Sequence, residues 1–398
     1  MDKNKRLTVW LPVIIAASIA LGIFIGNHYL SISQGKKRSY SSGNKINAIL
    51  DIIDEQYVDT VSMSKLVEST IPKIFSELDP HSVYIPAEDA SVVNEELEGS
   101  FSGIGVSFNM QTDTILVISV ISGGPAEKAG LLPFDRIISI NDSIFSGKKK
   151  NQGEIMKTLR GAKNSTVKLG VQRGNSPELL YFDVTRGDVP VNSVDVSFEA
   201  AKGIGYIKVS KFARNTYNEF ITAIAKLKQA GCTSFVIDLR GNTGGYMDAA
   251  INMINEFMPE GRLIVYTEGK SFPRSDVYAN GTGTCKDAPI VVLTDEISAS
   301  ASEIFSGAIQ DNDRGTIIGR RTYGKGLVQT QMSLSDGSEM RLTIARYYTP
   351  SGRCIQKKYE MGNTDAYDQD IYNRYMHGEF DSADSIKMDD SLKYQTVG

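Results

Sequence analysis

A chain of 398 residues, 41% hydrophobic and 23% charged, has room for two or three globular domains, each with its own core. A net charge of −4 with no long basic block leaves no electrostatic footprint for nucleic acid, and that partner class is excluded. Cys232, Cys285 and Cys354, an odd set without C-x-x-C spacing, can build neither a disulfide framework nor a zinc knuckle.

The N-terminus departs from this ordinary profile. Lys3, Lys5 and Arg6 precede an uncharged, mostly apolar run from Leu7 to Ile25. At 1.5 Å per residue the run reaches about 28 Å, close to the hydrocarbon thickness of a bilayer and longer than a usual secretory h-region. The pattern predicts a single-pass signal anchor in the inner (plasma) membrane. Residues 1–6 would be cytoplasmic, 7–25 would span, and the bulk of the chain would lie in the periplasm or otherwise outside the cytoplasm. Ser31-Ile32-Ser33 is a weak small-x-small site, so cleavage stays open, and Lys36, Lys37 and Arg38 blunt the positive-inside bias. Residues 31 to 44 are rich in Ser, Gly, Lys and Arg, and 26–43 read as a tether.

A helical region is expected over 44–98. Ile46, Ile49, Leu50, Ile53 and Tyr57 recur at helical spacing, Leu66, Val67, Ile74 and Phe75 suggest a second helix interrupted by Pro72, and Leu78-Asp79-Pro80-His81-Ser82 ends it. From about Gly99 short alternating or wholly apolar runs (104–108, 114–120, 136–141, 167–172) predict a small β-rich module over 99–186. Between them, Ser122 to Leu131 reads as a loop and one-turn helix stopped by Gly130, and Glu154 to Arg160 as a helix closed by Gly161. Glycines in Gly103-Ile104-Gly105-Val106 would let successive N–H groups converge on a terminal carboxylate, while the next strand offers an edge for peptide addition. The ordered set of that loop, P-A-x-x-A-G-L and D-R-I-I-S-I-N resembles a PDZ domain of the bacterial protease type.

Beyond residue 186 strands alternate with helices: strands at 203–209, 234–239, 263–267, 289–293 and 316–319, helices at 217–230, 246–258 and 301–309. This predicts a layered sheet covered by helices. His28, His81 and His377 are the only histidines, and none suits a triad: His28 flanks the apolar run, His81 sits in a helix stop and His377 in a polar tract. No G-x-S-x-G or H-E-x-x-H pattern occurs, so a hydrolase here would use a lysine or carboxylate base. Thr294 to Glu303 joins an apolar strand to a helix, where a hydroxyl meets unpaired N–H groups and the positive end of a dipole. An ordinary N-cap serine would look the same. Asp238-Leu239-Arg240-Gly241-Asn242-Thr243-Gly244-Gly245 could supply a second oxyanion N–H or be merely a tight turn. Thr322 to Gln329 sets Lys325 between two glycines; close packing there would bury the ammonium and lower its pKa toward that of a general base.

Together the S-A-S-A-S-E, D-L-R-x-N-x-G-G and T-x-G-K-G-x-V-Q segments, with Tyr57-Val58-Asp59, the Asp-Pro-His-Ser element and Tyr347 to Arg353, resemble the carboxy-terminal processing proteases, PDZ-containing Ser–Lys peptidases of the tail-specific type. The resemblance runs from about Asn44 through Gln356. It implies an α+β multidomain chain: N-terminal helices, a PDZ domain at 99–186, and a catalytic α/β core of the ClpP/crotonase type at 187–362. It implies Ser300 as nucleophile, Lys325 as general base, Gln329 holding the lysine, and an oxyanion hole from Gly244, Gly245 and Ala301. It further implies carboxylate binding at Gly103, Ile104, Gly105 and Val106, protein substrates taken through their C-termini, and no metal or organic cofactor. Thr243 stands where the family has proline. The polar segment 363–398 stands where the family usually has a Gly-rich stretch and a final region, and whether the chain end at Gly398 is native is left open. Self-association is left open. A non-catalytic PDZ scaffold is disfavoured because Ser300, Lys325 and Gln329 are all present, and an acyl-CoA enzyme would leave the PDZ module and anchor unexplained.

Overall fold

The structure, a computed structural model, describes residues 16, 18, 19, 21, 42–111, 114–145, 152–386 and 393–398. The predicted anchor at 7–25 and tether at 26–43 lie almost wholly outside these residues. Among the described residues no helix is long and apolar enough to cross a membrane. The chain divides into two units, Met1–Ser69 and Thr70–Gly398.

The first unit carries α1 (Ser42–Gln56), which leaves Ile46, Ile49 and Ile52 about half exposed. It also carries the start of α2 (Met63–Ser76). That helix runs through Pro72 without interruption, so the predicted break is absent; the proline removes one N–H donor and the flanking turns persist.

The second unit opens with β1 (Val83–Ile85) and α3 (Ala87–Glu98), which Gly99 closes in the left-handed region at φ 76°. The PDZ module follows: β2 (Ser100–Gly103), β3 (Val106–Gln111), β4 (Thr114–Val120), α4 (Pro125–Ala129), β5 (Arg136–Ile140), β6 (Ser143–Ile144), α5 (Gln152–Leu159), β7 (Thr166–Gln172), β8 (Leu180–Thr185) and β9 (Gly187–Pro190). Its antiparallel sheet has the order β3-β4-β5-β7-β8, with β6 on β5, and β2 pairs β9 separately. Alternation puts Ile115 and Val117 of β4 into a core with Ile137, Ile155, Leu169 and Val184. Strand β3 starts two residues later than the apolar run suggested, because Ile104 and Gly105 form the loop before it.

The remaining core contains β10 (Val194–Ala201), β11 (Ile204–Val209), α6 (Thr216–Gln229), β12 (Ser234–Asp238), α7 (Met247–Asn255), β13 (Leu263–Glu268), β14 (Ser275–Tyr278), β15 (Ile290–Thr294), α8 (Ala301–Asp311), β16 (Thr316–Gly319), β17 (Leu327–Ser333) and β18 (Glu339–Tyr348), then the short α9 (Asp365–Asp368) and α10 (Asp370–Met376). Strands β11, β12, β15 and β16 are parallel, with β10 antiparallel at one edge. The predicted 263–267 strand does not join them. As β13 it enters a second, antiparallel sheet ordered β1-β18-β13-β14, with β17 on β18. Between the layers Phe257 meets Phe220, Phe235 and Phe305 edge-on at 6.2 to 6.4 Å between centroids. Helix α8 is buried at every residue except Gln310, which explains its small and apolar composition.

Candidate active site

Three chain segments meet at the N-terminus of α8. The turn after β15 is held by Asp295, whose Oδ1 accepts the N–H groups of Gly241, Ile297 and Ser298 at 3.0 to 3.1 Å. Of the three closely spaced serines, two are committed to the fold. Buried Ser298 donates its hydroxyl to Leu239 O at 2.8 Å, and buried Ser302 donates to Asn242 O at 2.9 Å. Ser300 is half-buried and takes φ 55°, ψ −112° at the helix start. A non-glycine residue there is strained by roughly 1–3 kcal/mol and is held only by what surrounds it.

What surrounds it is Glu303. This fully buried carboxylate accepts Ser300 N–H (2.9 Å) and Lys325 N–H (2.8 Å) on Oε2, and Gly324 N–H and the Thr322 hydroxyl (both 2.7 Å) on Oε1. Burial pushes its pKa up, and these donors oppose that shift. One carboxylate therefore sets the backbone of both Ser300 and Lys325. The E of S-A-S-A-S-E has one partner close in sequence, Ser300, but the other three, Thr322, Gly324 and Lys325, lie 19 to 22 positions downstream, where no local pattern reveals them.

The glycine-rich turn closes the other side. A Cβ on Gly244 would lie 2.7 Å from Ala299 O and Ser300 Cβ, and one on Gly245 would lie 2.1 Å from Phe212 O, so both positions need glycine. Buried Asn242 shapes this turn: its Nδ2 donates to Val209 O, and its Oδ1 accepts Gly244 N–H at 2.9 Å. That last bond corrects the predicted oxyanion set, because the Gly244 N–H is spoken for. The N–H groups of Ala301, at the first turn of α8, and of Gly245 have no acceptor among the described residues. Upstream, burial alone would raise the Asp238 carboxyl, but hydrogen bonds from Arg240 and Tyr206 hold it down to about 2. This cluster borders a cavity of about 840 Å³ at the carboxyl ends of β11, β12 and β15.

Lys325 is half-buried, and its flanking glycines are packed tightly as predicted: a Cβ on Gly324 would meet Lys357 Cβ at 2.9 Å, and one on Gly326 would meet Gln356 N at 2.4 Å. Burial, then Arg341, lowers the ammonium pKa; Asp79 and Glu303 oppose this. Among the described residues no hydrogen bond joins Lys325 Nζ to Ser300 Oγ. Gln329, beside a register shift between Val328 and Gln329 in β17, donates its side-chain Nε2 to the carbonyl of His81.

His81 is thus brought to the site from 244 positions away in sequence, against its reading as a plain helix stop. Asp79 accepts the N–H groups of His81 and Ser82 and the hydroxyls of Ser82 and Thr343, fixing this loop to β18. Burial, then the neighbouring Lys325, lowers the His81 pKa to about 4, so its ring is neutral at physiological pH. In the PDZ module the N–H groups of Ile104 and Gly105 have no acceptor among the described residues, while the Ile104 carbonyl accepts from Ala126 and that of Gly105 from Ile121. The loop is anchored with its donors free.

Comparison with known proteins matches residues 203–365 to peptidase family S41 and residues 102–195 to the PDZ domain. The carboxy-terminal processing protease CtpB of Bacillus subtilis is 35% identical over 318 residues, 79% of this chain and 66% of the relative. A probable CtpA-like serine protease of Staphylococcus aureus is 33% identical over 365 residues, 90% of this chain and 72% of the relative. Among solved structures, the photosystem II D1 C-terminal processing protease aligns at 27% identity and a TM-score of 0.44, covering 80% of this chain and 91% of that one.

Proposed function

Since the chain belongs to the PDZ-containing S41 peptidases of the carboxy-terminal processing type, we propose that it is a serine endopeptidase in which Ser300 is the nucleophile and Lys325 the general base. The observation that carries this reading is the Glu303 carboxylate, which binds the N–H groups of both residues and so couples a strained serine to a desolvated lysine. Neutral Lys325 takes the proton from Ser300 Oγ as that oxygen attacks the peptide carbonyl. The Ala301 and Gly245 N–H groups receive the oxyanion, and the lysine returns the proton to the leaving amine. Water, activated by the same amine, then hydrolyses the acyl-enzyme. The lysine side chain must swing toward Ser300 for this to begin, an adjustment common between resting and substrate-bound sites. Release of Gln329 from the His81 carbonyl would let its amide follow.

Selection of substrates through their C-termini is supported by the free N–H groups of Ile104 and Gly105 beside the edge strand β3. Placement in the cell envelope rests on the basic start and the apolar run Leu7 to Ile25. A fluorophosphonate probe tests the central claim. Wild type should label on Ser300, and Ser300→Ala and Lys325→Ala should not. A wild-type chain that stays unlabelled from pH 7 to pH 10 is the non-catalytic scaffold instead.

A further inference from the structure

The segment after Gln356, polar and without an assigned role in the sequence, packs on the loop that carries Lys325. Arg374 of α10 is buried, its side chain 4% exposed. Its Nη1 donates to Thr322 O at 3.1 Å and its Nη2 to Arg321 O, so one guanidinium holds two consecutive carbonyls just upstream of the lysine. Its Nε donates to Glu379 Oε1 at 2.8 Å, and Glu379 also accepts from Arg321 Nε and Nη2 at 2.9 and 2.6 Å. The guanidinium is thereby fixed by a carboxylate that grips the same loop. A second contact runs from Tyr367, whose hydroxyl meets His81 Nε2 at 2.7 Å and Gln356 Nε2 at 3.4 Å, while Gln356 Oε1 accepts Gly326 N–H at 2.9 Å. Lys357 Nζ sits 4.0 to 4.1 Å from the ring centroids of Tyr323 and Tyr367 and donates to Tyr367 O.

Glu303 thus holds the Thr322 hydroxyl and the N–H groups of Gly324 and Lys325 from within, and Arg374 holds the carbonyls of Arg321 and Thr322 from without. We propose that Arg374 is a positioning residue for catalysis, clamping the loop so that Lys325 is presented, half-buried, to Ser300. Planar, five-donor geometry suits the task, since a lysine at 374 could keep the charge beside Glu379 but not span both carbonyls. The inference rests on Lys325 being the base.

Loosening the loop lets water reach Lys325, which faces Arg341, Asp79, Glu303 and His81. Better hydration favours its protonated form, so less of it is available as base at neutral pH. The test uses the full chain and the rate of fluorophosphonate labelling of Ser300 from pH 6 to pH 10, with kcat and KM for an internally quenched peptide bearing a free, apolar C-terminus. Arg374→Ala should lower labelling and kcat at pH 7 by about 10- to 100-fold, the scale of a 1 Å misplacement. KM should stay within about twofold, and the rise of the labelling rate should move to higher pH, recovering part of the loss at pH 10. Arg374→Lys should move in the same direction, and it decides the matter if the alanine form does not fold. Wild-type kcat and an unmoved pH midpoint in the folded variant overturn the clamp. An active Lys325→Ala measured alongside would instead overturn the base assignment.

Discussion

Replacing Glu303 separates what the buried carboxylate does for stability from what it does for chemistry. Glutamine has two placements. With its oxygen in the Oε1 position, its NH2 faces the N–H groups of Ser300 and Lys325, donor against donor. Flipped, the oxygen accepts both of those, the NH2 donates to a Thr322 hydroxyl turned to accept, and only Gly324 N–H is orphaned. The flipped form is favoured and costs about 1–3 kcal/mol, the penalty for one buried donor without a partner. Relief of a buried charge reduces that figure. Alanine orphans three N–H groups, about 3–9 kcal/mol on the same scale before water enters the space. Glu303→Gln keeps Ser300 and Lys325 tied to one oxygen, so its kcat should stay within about tenfold of wild type. Glu303→Ala frees both, and a displacement of 1 Å is worth on the order of 100-fold. Urea unfolding and peptide cleavage, measured on the same preparations, read the two effects. An alanine variant with wild-type kcat would refute the coupling, and a glutamine variant as inactive as alanine would refute the flipped placement.

Three further outcomes follow from the same geometry. Ser300→Gly should be inactive yet more stable in urea by about 1 kcal/mol, the relief of roughly 1–3 kcal/mol of backbone strain less the extra freedom of glycine in the unfolded chain; a less stable variant would show that φ 55° carries no strain. Activity should rise with pH as Lys325, held below its ordinary value by burial, loses its proton, and Lys325→Arg should be as inactive as Lys325→Ala because a guanidinium stays charged; an active arginine form would reduce the lysine to a fixed charge. Calorimetric titration of the full chain should show weaker binding of C-terminally amidated peptides than of their free-acid forms, whereas equal affinities would place recognition elsewhere than the Ile104 and Gly105 N–H groups.

The sequence by itself determined the order of modules and the chemistry of the short motifs, since both reside in local pattern. Alternation in β4, the glycine stop at Gly130, the strand-to-helix junction at Ser300 and the glycines around Lys325 are properties of neighbouring residues. Tertiary structure decided everything that needed partners far apart in the chain. It sent β13 into a second sheet, because an apolar run does not name the strand it will pair with. It gave Gly244 N–H to Asn242, leaving Gly245 and Ala301 as the free donors, which depends on a side-chain rotamer no spacing reveals. It brought His81 and Gln329 together across 248 positions, and gave Glu303, Arg374 and Tyr367 their places around the Lys325 loop. A buried charge has to be satisfied by whichever groups the fold delivers to it, and that delivery is written in the packing of the layers rather than in any one segment.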